Sequence, residues 1–485
     1  MATILLANVG DRDVSLDGDR VRRPREEGEA LLKQWPRVAE RLSLPILKPV
    51  LRHLEGRGQK PDHIVLFATD QPAGTAEELR SKDTLYLAEL AKRMIESWPG
   101  YGGRAMVRKV AGLNPSLYDE MFQYFGHVLG NRNDKALRDV SQCYVSPVGG
   151  TPAANAGLLL AAVDRFGKNC TVLYLREGTD TPVRLNAGRM LYENTLRQVI
   201  AHQIESYQFA PSLPLMQDLG PSQETCCLAL AEYCLRRLNF DFEAALRVAE
   251  DAYAGADPAA RPLLEMAAGE ARKLHDGSDA SALLVELAHN LDVTYESGAY
   301  MDCLARAVRF EESAARFLVE QYLPPLDYGS NDLASQERRR QQIEETPDLR
   351  QLLGERSEGG QPLRYWESNT RVLLALADYV AEARPNRPSR WHIPAERQRE
   401  LAEAVGVLHR LENLNRARNR SVHHYGGASA ESIKEWYCPA SDVENVRSRD
   451  LRADIWRVVE VLTEQHPSEW LIDRIRDWIV ERLWA

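Results

Sequence analysis

The chain has 485 residues, with 61 Lys and Arg against 71 Asp and Glu, for a formal net charge of −10. At 44% hydrophobic and 27% charged it is composed like a globular protein rather than a disordered or fibrous one, and its length accommodates two or three domains with cores of their own. The acidic surplus excludes a broad basic surface for coating nucleic acid, which needs many cations against phosphates, but it leaves room for a small local RNA site.

In chain order, Thr3-Ile4-Leu5-Leu6-Ala7 has no basic lead and runs into Asn8-Val9-Gly10, so it reads as a buried strand and not as a signal peptide. Short apolar runs at Ile4–Asn8, His63–Thr69, Arg104–Val110, Gln142–Ser146 and Thr171–Arg176 alternate with helical patterns such as Ala76–Trp98 and Ala153–Phe166. That alternation predicts an α/β, Rossmann-like parallel sheet with crossover helices over residues 1 to about 190. The longest apolar stretch, Gly157 to Val163, is too short to span a bilayer. Seven cysteines without a CxxC pair suggest scattered thiols in a reducing cytoplasm, with neither a disulfide framework nor a zinc cluster.

In such a sheet, ligands bind at the strand-to-helix loops. Three loops stand out: Asn8-Val9-Gly10-Asp11-Arg12-Asp13, Thr69-Asp70-Gln71, and Ser146-Pro147-Val148-Gly149-Gly150-Thr151-Pro152 ahead of the small-residue helix Ala153-Ala154-Asn155-Ala156-Gly157. In the third loop, glycines permit close backbone approach, Thr151 offers a hydroxyl and a helix start presents free N–H groups, all suited to phosphate or ribose. Neither a GxGxxG nor a GxxxxGK[ST] fingerprint is present. The pair "LLANVGDRD" and "YVSPVGGTPAANAGLLLAA" closely resembles the CARF domain of CRISPR-associated proteins, over roughly the first 185 residues. The resemblance implies a two-fold dimer with a cyclic oligoadenylate across both protomers, and places Asn8, Gly10, Asp11, Thr69, Gly149, Gly150, Thr151 and Asn155 at or near that ligand. It also raises slow cutting of the ligand in its own pocket, with Thr151 and neighbouring polar groups positioning a ligand 2′-hydroxyl.

From about Met190 the strand signals stop. Cys226–Ala254 reads as a helical hairpin, Tyr300–Gln321 and Val372–Ala383 as amphipathic helices, and the charged, Gly-containing stretch Asp327–Gly360 as a long surface excursion. Leu401, Val405, Leu408, Leu411 and Leu414 mark the buried face of another helix, which runs into Arg416-Ala417-Arg418-Asn419-Arg420-Ser421-Val422-His423-His424 before Gly426-Gly427. Seven of nine tryptophans lie from Trp366 onward, and Trp470, Ile472, Ile475, Trp478, Ile479 and Leu483 form a final amphipathic helix read as core or as a dimer seam.

Three arginines and two histidines in nine residues make a positive island in an acidic chain. A solvated helix end, with cations near the C-terminal dipole, accounts for such a run at its simplest. The chemical alternative is RNA cleavage, with histidine moving protons near neutral pH and arginine holding the scissile phosphate; no metal is needed, and no convincing ligand set is visible. Arg418 and His423 are about 140° apart around a regular helix, so they converge only near a helix end or across a pair of subunits.

Arg418-Asn419-x-x-x-His423 fits the R-[N/H/D]-x₃-H signature of HEPN ribonucleases, and "SGAYMDCLARAVRFEESAARFL" resembles the first helix of that domain in CARF–HEPN proteins. The resemblance implies His423 as acid/base, Arg418 as phosphate or transition-state partner and Asn419 as an orienting residue; His424 also fits the looser spacing, and the choice between the histidines stays open. The whole chain then reads as a CARF sensor (1–190), a helical connector (191–285) and an all-α HEPN domain (286–485). Its expected activity is that of a cytoplasmic, homodimeric, cyclic tetra- or hexa-adenylate-activated endoribonuclease of type III CRISPR defence. It would cut single-stranded RNA without a metal or catalytic cofactor, to 2′,3′-cyclic phosphate and 5′-hydroxyl ends, and would have no membrane partner. The alternatives are a non-catalytic sensor whose helical module binds RNA or protein and, against the missing dinucleotide fingerprint, a nucleotide-dependent small-molecule enzyme.

Overall fold

The computed structural model describes residues 2–131, 133–220, 225–277, 279–324, 326, 328–358, 361–384, 387–424, 426–439, 450–465 and 469–484, with the backbone alone for 357, 358, 361, 362 and 421–424. The chain divides into two compact units, Met1–Gln198 and Val199–Ala485.

The first unit is built on a six-stranded sheet. Its strands are β1 (Ala2–Asn8), β2 (His63–Asp70), β3 (Ala105–Ala111), β4 (Val140–Ser146), β5 (Cys170–Tyr174) and β6 (Val183–Leu185), in the order β3-β2-β1-β4-β5-β6. The first five run parallel, with Leu6 opposite both Val65 and Val145. The short β6, which the sequence does not announce, returns antiparallel along β5. Alternation along β1 divides its apolar residues between two cores. Leu5 and Ala7 meet α1 (Leu47–Gly56) and α2 (Leu85–Glu96), through Leu47, Val50, Leu87 and Ile95. Ile4 and Leu6 meet α3 (Tyr118–Gly130) and α4 (Pro152–Phe166), through Met121, Phe125 and Leu158. The helix expected over Ala76–Trp98 is broken: a short turn, Glu77–Arg80, precedes α2. Buried Asp83 sits in the break, where it accepts from Arg25 (2.6 Å) and from the backbone N–H of Gln71 (2.9 Å).

The second unit is largely helical. The helical hairpin appears as α5 (Thr225–Leu238) and α6 (Phe242–Tyr253), followed by α7 (Arg261–Asp276) and α8 (Ala280–Glu296). One large core joins α9 (Tyr300–Tyr322), α10 (Thr370–Ala381), α11 (Ala395–His424), α12 (Ala430–Tyr437) and α13 (Leu451–Thr463), with Phe310, Leu318, Leu376, Leu408, Leu411, Tyr437 and Val458 inside it. Residues Asp327–Gly360 are no surface excursion. They include the helices Leu333–Glu344 and Pro347–Gly354, which bury Ile343, Leu349 and Leu353, and a buried Arg339 whose guanidinium donates to the carbonyls of Trp366 (2.9 Å) and Ser330 (2.6 Å). Sparse apolar residues at helical spacing suffice there because Ile343, Leu349 and Leu353 are wholly buried. The final helix, α14 (Leu471–Arg482), packs into this unit, and the preceding Trp470 donates its indole N–H to Glu286 (3.0 Å). Glu286 also receives buried Arg237 at 2.6 and 2.9 Å, a fully paired charge of the kind that tolerates burial. All seven cysteines are buried, and none is in a disulfide. No described helix is long and apolar enough to cross a membrane.

Candidate functional site

Strand order reverses direction at β1 and β4, and the crevice beyond their carboxyl ends is where an open parallel sheet takes ligands. A pocket of about 520 Å³ lies there. Six of the eight residues expected at a ligand line it: Asn8, Gly10, Asp11, Thr69, Gly150 and Thr151. Gly149 and Asn155 stand behind that lining. The Asn155 side-chain oxygen accepts from Asn8 at 2.9 Å and so fixes the amide that faces the pocket.

Glycine is required where the two loops meet backbone to backbone. A Cβ on Gly10 would lie 2.5 Å from the Gly150 nitrogen, and one on Gly149 would collide with the Asn8 carbonyl and the Asp13 carboxylate. Gly150 itself has φ +82°, in the left-handed region that favours glycine. Thr151 caps α4: its hydroxyl accepts from Ala154 N–H (3.2 Å) and donates to the Pro115 carbonyl. That hydroxyl is thereby committed to the fold. Thr69 is similarly engaged, accepting the Thr84 N–H at 3.0 Å.

The lining also holds groups that sequence reasoning passed over. Arg20, Arg22 and Lys82 place three cations around the pocket against one acid, Asp11, while Phe67 and Met121 provide an apolar wall and Asn114 and Ser116 offer polar contacts. An anionic ligand with flat apolar portions is what such a lining favours. The basic run Arg20-Val21-Arg22-Arg23 was the available signal; its loop lies far from the strand ends in sequence. Asp13 was also passed over as a distinct role. It is fully buried, accepts the Gly10 N–H at 2.7 Å, and burial lifts its carboxyl to about 7, against the pull of that hydrogen bond.

The Arg/His cluster forms the last turns of α11, which is unbroken from Ala395 to His424. Arg418 reaches only the side-chain oxygen of Asn419, at 3.4 Å, and the Asn419 amide donates to Asn415 at 3.3 Å. His423 and His424 belong to the helix by their backbone, and their side chains lie outside the described residues. Because the helix continues through the motif, Arg418 and His423 stand about 140° apart around its axis, whereas Asn419 and His423 share a face. Among the described residues no carboxylate lies in ion-pair range of Arg416, Arg418 or Arg420. Beside them runs an open groove of about 560 Å³ between α11 and α12. No group of three or more His, Cys, Asp or Glu among the described residues is arranged to hold a metal ion.

Among solved structures, a likeness runs over the full length of the chain. Enterococcus italicus Csm6 bound to cyclic hexa-2′-fluoro-hexa-dAMP matches with a TM-score of 0.52 at 10% identity, covering 99% of this chain and 100% of that one. The chain has the fold of Csm6. The likeness to Csm6 takes in both the parallel-sheet unit and the helical region that follows. No family model matches the sequence, and no curated protein matches it.

Proposed function

We propose that the chain is a cyclic oligoadenylate-activated endoribonuclease of type III CRISPR defence. In this reading residues 1–190 form the sensor, 191–285 a connector and 286–485 a HEPN effector. The observation that carries it is the full-length fold likeness to a Csm6 whose ligand is a cyclic hexanucleotide analogue, joined to the Arg418-Asn419-x-x-x-His423 motif at the end of α11. A phosphate ring fits the cationic lining of the first unit, with Arg20, Arg22 and Lys82 on phosphates and Asn8, Asn114 and Ser116 available to adenine edges or ribose. Thr151 gives its hydroxyl proton to Pro115, so in any cutting of the activator in its own pocket it would act as an acceptor beside the neighbouring polar groups.

Cleavage follows from the motif chemistry. The RNA 2′-hydroxyl attacks the adjacent phosphorus as histidine takes its proton, the P–O5′ bond breaks, and a proton returned to the leaving oxygen yields a 5′-hydroxyl beside a 2′,3′-cyclic phosphate. Arg418 stabilises the charge that develops on the phosphoryl oxygens. No step calls for a metal. Ligand binding drives the switch only through its preference for one dimer arrangement over the other. The decisive experiment incubates the purified chain with fluorescent single-stranded RNA in EDTA, alone and with cyclic tetra- or hexa-adenylate. Cleavage is expected with one activator and is abolished in the His423→Ala, His424→Ala double variant. RNA binding without cleavage would instead support a non-catalytic sensor.

A further inference from the structure

The groove beside the arginine cluster is lined from α11 by Asn413, Arg416, Asn419 and Arg420, and from α12 by Glu435 and Trp436. Both arginines are exposed, and among the described residues Arg416 reaches only the side-chain oxygen of Asn413, at 2.6 Å. Two other arginines of the same helix are ion-paired: Arg410 meets Asp454 at 2.7 Å and Arg397 meets Glu400 at 2.6 Å. Neighbouring cations with no counter-ion among the described residues repel one another, and in a chain of net charge −10 their clustering favours a local anionic occupant. The indole of Trp436 is half-buried, packed partly against the core of the unit and otherwise lining the groove. It stands on a helix whose start is held by a capping box at Ser429 and Ser432, so the backbone that carries the ring is set before anything binds.

We propose that this groove is a base subsite, taking one unpaired nucleobase of single-stranded RNA against Trp436 while Arg416 and Arg420 hold flanking phosphates. The subsite rests on the ribonuclease reading, for His423 follows Asn419 by one helical turn on the face that lines the groove. An aromatic face accepts any base that is not already stacked in a duplex, so the subsite selects single strands by form and is tolerant of sequence. Glu435, the acid of the lining, keeps phosphates on the arginine side of the groove.

The test uses the full chain carrying His423→Ala and His424→Ala, so that RNA stays uncut, with cyclic tetra- or hexa-adenylate present and labelled single-stranded RNA titrated over a range of KCl. Trp436→Leu, which keeps apolar packing, weakens binding roughly ten- to a hundredfold, and Trp436→Phe restores most of it. Arg416→Gln with Arg420→Gln flattens the slope of log affinity against log salt by about 1.4, as expected for two single-strand phosphate contacts. An RNA with one abasic position, moved along the strand, shows a loss at one register in the Trp436 chain and none in the Leu chain. Absence of any such register in the Trp436 chain overturns the subsite without needing a substitution there. Unchanged affinity and abasic profile in Trp436→Leu overturn it too, and leave the ribonuclease reading in place if the chain with His423 and His424 intact cuts RNA when an activator is added. Should that chain neither cut nor bind RNA with either activator, the ribonuclease reading falls and the subsite with it.

Discussion

Asp13 sits where the two ligand-facing loops touch, its carboxylate against Gly10 and Gly149, and one of its oxygens has no partner. Its carboxyl, ordinarily near 3.8, is lifted to about 7, so the folded chain keeps a proton that the unfolded chain releases. The sign follows from linkage: this group's contribution is full below about pH 4 and declines as pH rises to about 7, by an amount on the order of 4 kcal/mol. Asp13→Asn removes that decline while retaining an acceptor for Gly10. Thermal melts from pH 4 to 8 should therefore show the Asn chain gaining on its parent as pH rises, and parallel curves would mean that Asp13 is charged throughout. Gly149→Ala tests the same contact sterically. Its Cβ would meet Asn8 and Asp13, and cyclic oligoadenylate binding by calorimetry should fall at least tenfold while the far-ultraviolet spectrum is kept. Asn8, Gly10 and Thr151 were legible because glycine-rich loops after strands have a recognisable form. Asp13 was not, since burial leaves no local pattern; the basic run at Arg20 and Arg22 is visible in sequence, but nothing there shows that it and Lys82 converge on the same pocket.

At the scale of elements, the helix that carries the motif was plain from its apolar face, but what packs behind it was not. Glu311 of α9 is wholly buried, with neither carboxylate oxygen in a hydrogen bond of ordinary geometry. Burial first, and then the charge of Glu412 on α11, push it up to about 8, tempered by Asn415 and His409 of α11. Nothing in "RFEESAARF" distinguishes Glu311 from its half-buried, ion-paired neighbour Glu312 except register against α11, which a single helix cannot reveal. A neutral acid inside the core loses its advantage as pH rises from about 4.5 toward 8. Glu311→Gln should thus melt several degrees above its parent at pH 9 and close to it at pH 5. A gap that does not change with pH would show a charged Glu311. The two helices within Asp327–Gly360 went unread for a related reason. Their polar composition hides the few positions, Ile343, Leu349 and Leu353, that are fully buried.

On the scale of the whole molecule, strand–helix alternation followed by helices gave the order of architectures, because period and chain order are both written in sequence. A site shared between two copies of the chain, which the spacing of Arg418 and His423 already suggests, is supported further by the continuity of the helix through the motif. The unbroken α11 keeps Arg418 and His423 about 140° apart, which favours a site made from Arg418 of one protomer and His423 of the other. Two inactive chains can then complement each other. In a dimer of Arg418→Ala with His423→Ala, one composite site combines both defects and the other combines an intact arginine with an intact histidine. If the two chains are unfolded, mixed in equal amounts and refolded, half the dimers are mixed and each has one working site of two. Activator-stimulated cleavage should then recover to about a quarter of the unsubstituted level, whereas each variant refolded alone stays inactive. Sites that draw arginine and histidine from the same protomer would give no recovery at all, because every such site would retain one of the two defects.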